Sequence, residues 1–377
     1  MIDLVLSLDY ELFGSGAGDV RRDIIEPTSR VLEICKKHDC PLTLMFEVAE
    51  YWAFRQAENE GKLKLGYSPA DLIEKQLIAA VANGHDVQLH IHPQWIGAEI
   101  VDGLWRLKMQ QYRLSDLPGG LGSRNDPLSI WGVLHRGRET IERLLQPYKK
   151  SYECRVFRAG GYYMQPSERV IAAMKEVGLY ADSSVVPGLR LKRPFALNYT
   201  QAVKNIGFWW CAADDVCKTG PEFENVIEFP VCAVSKPYLM NFMPRKLLAT
   251  VKRKLIEEGD RHGEINRLRS TPDVKEVLFN LFRMHTHNLD FCKLSARSMY
   301  KMVLRFGRSA TEEITPVVMI GHSKDFWNDR ELDNFLKMIK KVENVRFSSF
   351  GDLVEKIPMA PLVDGGIQYP AGCLFCE

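Results

Sequence analysis

The sequence predicts an α/β protein built from parallel strand–helix units. Three observations carry that prediction. Ile2 to Leu8 is an almost continuous apolar run, the pattern of a strand covered on both faces. Strand, helix, strand, helix and strand then alternate as far as Gln88-Leu89-His90-Ile91-His92. Polar residues that carry chemistry stand at the C-terminal ends of these strands, where parallel α/β folds place their sites.

Composition bounds the function. With 377 residues, 46% of them hydrophobic, the chain can fill one large domain with insertions. Lys and Arg number 50 against 48 Asp and Glu, a net charge of +2, which argues against gripping nucleic acid by bulk charge. Small molecules or sugars are the better expectation. No basic leader with an apolar stretch and small-residue cleavage site opens the sequence, and no run reaches transmembrane length. Nine cysteines without a framework spacing fit buried thiols in a reducing compartment. A cytoplasmic protein is expected.

Taken in order, the first strand delivers Asp9-Tyr10-Glu11, two acids two residues apart. Strand alternation turns both to one side, although isolated acids more often cap turns. Gly14 to Asp19 has the glycines of a phosphate-cradling loop without the Lys-Ser or Lys-Thr ending, and is read as a βα loop. Pro27 opens a helix through His38. Pro41 to Glu47 is the second strand, Ala49 to Tyr67 a loose helix, and Ser68 to Val81 a helix stopped by Asn83-Gly84. The third strand ends in His90-Ile91-His92-Pro93. Its two imidazoles point the same way, a chelating geometry that needs a third ligand.

Trp95 to Pro127 has no clean period and carries Trp95, Trp105 and Tyr112, which either stack on a sugar or pack the loop down. A helix spans Ser129 to Gln146. The strand Cys154 to Phe157 then leads into Arg158-Ala159-Gly160-Gly161-Tyr162, an arginine and a glycine turn able to orient a carboxylate and expose backbone N–H groups. Pro166 to Val177 is helical, Tyr180 to Ser184 and Glu224 to Val231 are strands, and Asp214-Asp215 is most simply a solvated turn.

Arg245 to Glu258 and Pro272 to Met284 read as helices of an insertion, followed by His285-Thr286-His287. Thr315 to Ile320 is a buried strand ending in Gly321-His322, Glu331 to Lys341 a helix, and Val345 to Ser348 a strand that closes the sheet. Cys373-Leu374-Phe375-Cys376 is half of a zinc-ribbon spacing in a terminal tail.

Leu6-Ser7-Leu8-Asp9-Tyr10-Glu11, Gly84-His85-Asp86 with His90-Ile91-His92-Pro93, Phe157 to Tyr162, and Met319-Ile320-Gly321-His322 occur in this order. The ordered set, from about residue 2 to about residue 350, resembles the polysaccharide deacetylase (NodB-homology) family. The resemblance implies a distorted (β/α)7 barrel and a metal-dependent hydrolase that removes acyl groups from N-acylated sugars. It makes Asp9 the catalytic base, Glu11, His90 and His92 the metal ligands, and Arg158 the residue that orients the base. Tyr162 supplies a backbone N–H to the oxyanion, and His322 resembles the general acid.

The sequence departs from the common pattern in three places. Asp-Tyr-Glu stands for an adjacent Asp-Asp, the histidines are unusually close, and Ala159-Gly160 replaces a proline. Nitrogen-rich ligation makes zinc the expected ion. The domain expectation is a single barrel over 1–355, with insertions near 95–128, 200–222 and 240–312 and a tail over 356–377. The expected substrate is a carbohydrate, free, lipid-linked or nucleotide-linked. Two other readings stay open: a noncatalytic carbohydrate-binding barrel, and a metal-free amidohydrolase of cyclic amides.

Overall fold

In a computed structural model the described residues are 1–203, 207–222, 226–237, 284–307 and 314–357, with the backbone of a terminal hairpin, Leu362–Val363 and Gly366–Ile367. Seven parallel strands form the barrel: β1 (Ile2–Tyr10), β2 (Leu42–Glu47), β3 (Asp86–Ile91), β4 (Val156–Ala159), β5 (Ala181–Asp182), β6 (Ile227–Glu228) and β7 (Thr315–His322). Their order is β6-β5-β4-β3-β2-β1-β7, every neighbouring pair parallel. Beyond β6 the chain reaches β7 through a parallel bridge between Val231 and Val318 and a 3.0 Å bond from the Cys232 N–H to the Val318 carbonyl. That contact curls the sheet into a (β/α)7 barrel.

The strand expected to close the sheet does not do so. Val345–Phe347 pairs with Ile2 to Leu4 on the edge of β1 that β2 occupies from Leu6 onward, so it lies away from the gap between β6 and β7. Helices α1 (Glu26–Lys37), α2 (Val48–Asn59), α3 (Pro69–Ala82), α4 (Ile130–Leu145), α5 (Glu168–Val177), α6 (Ala296–Gly307), α7 (Asp329–Ile339) and α8 (Phe350–Lys356) complete the units. Helix α2 ends well before Tyr67 because Gly61 turns left-handed at φ 65°. Ser68 and Ser129 cap α3 and α4 by accepting from the Asp71 and Gly132 N–H groups.

Alternation along each strand separates two cores. Leu4, Leu6 and Leu8 of β1, Leu44 of β2 and Leu89 of β3 face outward to the helices. Val5, Met45, Val156, Val318 and Ile320 fill the lumen, plugged from below by Phe350 of α8. The inward column therefore runs Val5, Ser7, Asp9 on β1, with Glu47, His90, Arg158 and His322 at the matching height of their strands. Sheet register makes Asp9 and His322 direct neighbours, and His90 the neighbour of both Glu47 and Arg158.

The loop after β3 holds a hairpin, Glu99–Val101 with Leu104–Arg106. Trp95 is buried and meets Phe54 and Trp105 at ring distances of 6.0 and 5.2 Å, so these two indoles pack the loop onto α2. Tyr112 rests on Tyr163 and Phe195. Asp19 caps the turn Val20–Ile25 and receives the Tyr67 hydroxyl at 2.6 Å, a structural use of the glycine-rich loop.

The helix expected over 272–284 is corrected at its end, since Met284–Asn288 is a strand antiparallel to Ala233–Pro237. The rest of that helix, the one over 245–258 and the Cys373/Cys376 tail lie outside the described residues. Cys35, Cys40, Cys154, Cys211, Cys217, Cys232 and Cys292 are free thiols. Among the described residues no helix is long and apolar enough to cross a membrane.

Candidate active site

Polar side chains close the C-terminal end of the lumen over its apolar filling. Asp9, Glu11, Glu47, His90, His92 and Arg158 are all buried there, and Arg158 is wholly enclosed. Burying this many ionisable groups is costly unless each is paired. The pairing divides the site into two halves joined at Glu11.

One half handles protons. Arg158 Nη1 donates to Asp9 Oδ1 at 2.6 Å, while its other nitrogens donate to Ser7 Oγ at 2.9 Å and to the Ser183 carbonyl and hydroxyl at 2.8 and 3.0 Å. The guanidinium is thus held on four sides, and only its contact to Asp9 carries charge. Asp9 Oδ2 faces His322 Nε2 at 3.4 Å. Burial pushes the Asp9 carboxyl up, but Arg158, His90 and His322 outweigh it and hold the group below its usual range. Burial lowers His322 from the ordinary imidazole value against the pull of Asp9.

The other half is a donor cluster. His90 Nδ1 bonds the Arg158 carbonyl at 2.9 Å, which turns Nε2 toward Glu11 Oε2 at 3.3 Å. His92 Nδ1 lies 3.0 Å from the same Glu11 oxygen and 2.8 Å from Glu47 Oε2. Glu47 is fixed in turn as the N-cap of α2, its Oε1 accepting from the Ala49 and Glu50 N–H groups. The other Glu11 oxygen, Oε1, accepts from Lys324 Nζ at 2.7 Å.

Burial opposes charge on both partners here. Lys324 and His92 nevertheless hold Glu11 well below the carboxylate range, and the Glu11 and Glu47 carboxylates raise His92 to about 10. Burial and the neighbouring Glu47 push the Glu50 carboxyl well above its usual value, and it accepts from the Leu12 N–H.

The donor set fits a divalent ion. One ligand atom each from Glu11, Glu47, His90 and His92 lie within 4.8 Å of one another, and a second group of Asp9, Glu11 and His322 meets the same limit. A histidine whose Nδ1 is tied to a backbone carbonyl is oriented as metal-binding imidazoles are. Neither group, among the described residues, contains His285, His287, Asp214 or Asp215. Lys218 lies 3.2 Å from Asp214 and 3.5 Å from Asp215, and His285 and His287 lie on the antiparallel ribbon.

Tyr162 stands at the turn after β4, where Gly161 and Tyr162 are left-handed in succession at φ 58° and 68°. A non-glycine residue there stores strain, here fixed by the Tyr199 hydroxyl donating to the Tyr162 carbonyl and Asn288 Nδ2 donating to its phenol oxygen at 3.1 Å. Burial holds the Tyr162 phenol above its usual value.

All seven residues singled out in the sequence lie on the C-terminal ends of barrel strands or the turns that follow them. Asp9, Glu11, His90, His92, Arg158 and His322 form one connected cluster. Sequence reasoning passed over Glu47, Lys324, Ser7 and Ser183. Glu47 carried a usable signal, an acid ending a buried strand; Lys324 and the serines carried none before the strands were aligned.

No family model and no curated protein matches the chain. Solved structures of similar shape include a putative polysaccharide deacetylase from Mycobacterium smegmatis, with 10% identity, TM-score 0.42, and 97% of this chain and 94% of that one covered. A probable polysaccharide deacetylase from Pseudomonas aeruginosa PAO1 gives 13% identity, TM-score 0.43, and coverages of 94% and 90%. PuuE allantoinase gives 12%, 0.42, 94% and 89%. The residue chemistry stands on the side chains described above.

Proposed function

We propose that the chain hydrolyses amide bonds, removing an acyl group, most simply acetyl, from an N-acylated sugar or polysaccharide precursor. The observation that carries this is the buried cluster of Glu11, Glu47, His90 and His92 directly beside an arginine-clamped Asp9. Glu11, His90 and His92 would hold the divalent ion, zinc by the nitrogen content of the set, with Glu47 on the same His92 nitrogen as Glu11. Such an ion supplies a Lewis acid that polarises the acyl carbonyl and acidifies water.

The chain's own residues do the rest. Arg158 keeps Asp9 ionised and immobile, so Asp9 is ready to take a proton from the attacking water. The Tyr162 N–H, on its strained turn, is offered to the developing oxyanion. His322, across Asp9 from Arg158, passes a proton to the departing amine. The sugar itself rests on the motif resemblance and not on the geometry.

Metal content and acetate release from a panel of N-acetylated sugars, free, nucleotide-linked and lipid-linked, test the proposal. The wild type should retain about one ion per chain through gel filtration, and the His90→Ala/His92→Ala double variant none. Full retention in the double variant would sink the ligand assignment. A second reading is favoured by Lys324, whose ammonium already neutralises Glu11: a metal-free amidohydrolase of cyclic amides. It predicts turnover of cyclic ureides that chelators leave intact.

A further inference from the structure

One strand away from Arg158, a pair of acids lies buried, and among the described residues neither has an ion pair of its own. Asp182 on β5 and Glu228 on β6 are direct register partners on adjacent parallel strands, both with no exposed surface. Their strand neighbours Ala181 and Ile227 face the lumen, so the two acids face outward beneath the segment that carries Tyr199, Cys211 and Cys217.

Three of the four carboxyl oxygens have a donor. Asp182 Oδ1 accepts from the Ser184 hydroxyl at 2.7 Å and Oδ2 from the Ser184 N–H at 3.2 Å. Glu228 Oε1 accepts from the Val185 N–H at 2.9 Å. Glu228 Oε2 is buried and has no donor among the described residues. Its register partner on the neighbouring strand is the equally buried Asp182, and each acid acts on the other's ionisation. Two neighbouring buried carboxyls, one with an oxygen that has no donor, escape the cost of two bare charges if one hydrogen is held between them.

The serines connect this pair to the site. The Ser184 hydroxyl that donates to Asp182 accepts from the Ala159 N–H at 2.8 Å, at the root of the turn that presents Tyr162. Ser183 takes two bonds from Arg158 and donates its hydroxyl to the Phe229 carbonyl, the residue after Glu228. Bonds from both acids and from the backbone beside Glu228 therefore fix Ser183, Ser184 and Val185, the segment against which the guanidinium rests.

We propose that Asp182 and Glu228 share one proton between two buried carboxyl groups and, through Ser183 and Ser184, position the Arg158 guanidinium on Asp9. The consequence for catalysis rests on the role given to Asp9; the proton and the positioning do not. Electrostatics agrees with the geometry. Burial raises both carboxyls, Glu228 well above its usual value, and among the described residues Arg158 is the cation facing the pair, with Tyr199, Cys211 and Cys217 as the other titratable neighbours.

The pair makes opposite demands on its two amide variants. Glu228→Gln keeps the oxygen that Val185 needs and supplies a permanent donor to Asp182. Asp182→Asn has one oxygen for two Ser184 donors, so one bond is lost whichever way the amide turns.

The test uses the full chain as wild type, Glu228→Gln, Glu228→Leu and Asp182→Asn, without requiring a substrate. Infrared difference spectra at neutral pH should show one protonated-carboxyl band present in the wild type and missing in Glu228→Gln. The Arg158 Nε–H signal in nitrogen-15 arginine-labelled protein, assigned by its loss in Arg158→Lys, should stay in place in Glu228→Gln. It should move or broaden in Asp182→Asn and Glu228→Leu.

No band lost in Glu228→Gln, or an unmoved Arg158 signal in Asp182→Asn, overturns the proposal. If Glu228→Leu does not fold, the two amide variants carry the same decision. A protein inert on every amide substrate that still shows both signatures removes the hydrolase reading and leaves the carboxyl pair standing.

Discussion

Arg158 is the residue on which the candidate site depends most directly. It is wholly buried and spends its donors on Asp9, Ser7 and Ser183, so removing it leaves a buried carboxylate without its cation. Arg158→Ala should cost about 3–5 kcal/mol of stability, the range for breaking a buried ion pair from one side. A urea titration within 1 kcal/mol of wild type (about the worth of one net hydrogen bond) would show that the clamp contributes little.

A second residue-scale prediction concerns pH. Asp86, where β3 begins, accepts from Thr43, Gln88 and the Gly351 N–H, and burial pushes its carboxyl up to about 6. In the unfolded chain it ionises near about 4. A raised acid favours the fold while protonated. Its contribution is fully present below about pH 4, is lost as pH rises through about 6, and is constant above. Asp86→Asn should therefore remove a decline in stability across that window, read from unfolding midpoints at several pH values. Parallel curves for the two proteins would refute the assignment.

Among the elements, the turn after β4 is the most tightly constrained. Gly160 has no room for a side chain: a Cβ there would meet His92 Cδ2 at 2.5 Å and the Ile91 carbonyl at 2.7 Å. The imidazole is the nearer contact and, as a side chain, the one that moves furthest while the backbone shifts slightly away from the Ile91 carbonyl. Gly160→Ala is expected to weaken metal binding by ~10–100-fold, as loss of an orienting contact does, with the overall fold kept. Titration calorimetry on the metal-stripped protein measures this, and unchanged affinity would mean that His92 is not a ligand.

At the scale of the whole molecule, the barrel is closed from below by a side chain outside the candidate site. Phe350 plugs the lumen from α8, stacks with Phe229 at 5.9 Å and lies 5.9 Å beneath the Arg158 guanidinium. Phe350→Ala should lower stability by about 3–5 kcal/mol through cavity formation. Because the cavity opens below Arg158, the variant should also loosen the Asp9 clamp, seen as faster exchange of the Arg158 side-chain N–H. Loss of stability with an unchanged Arg158 would confine Phe350 to packing. Level with Val5 of β1, the Val231–Val318 bridge joins the segment after β6 to β7 across a single register position.

Much of this was legible in the sequence, for a physical reason. Strand alternation and capping are local, so the apolar run into Asp9, the His90-Ile91-His92 spacing and the strand-end Arg158 and His322 could be read as groups on one rim. Their union into a single cluster required the sheet register, which pairs Asp9 with His322 and His90 with Arg158 across gaps of hundreds of residues or tens. Register also chose Glu47 as the support of His92, set Lys324 on Glu11, and laid Asp182 against Glu228. Sequence spacing determined which chemistry was present; only the curled sheet decided which groups neutralise one another, because burial makes every unpaired charge expensive and the fold must supply each partner from elsewhere in the chain.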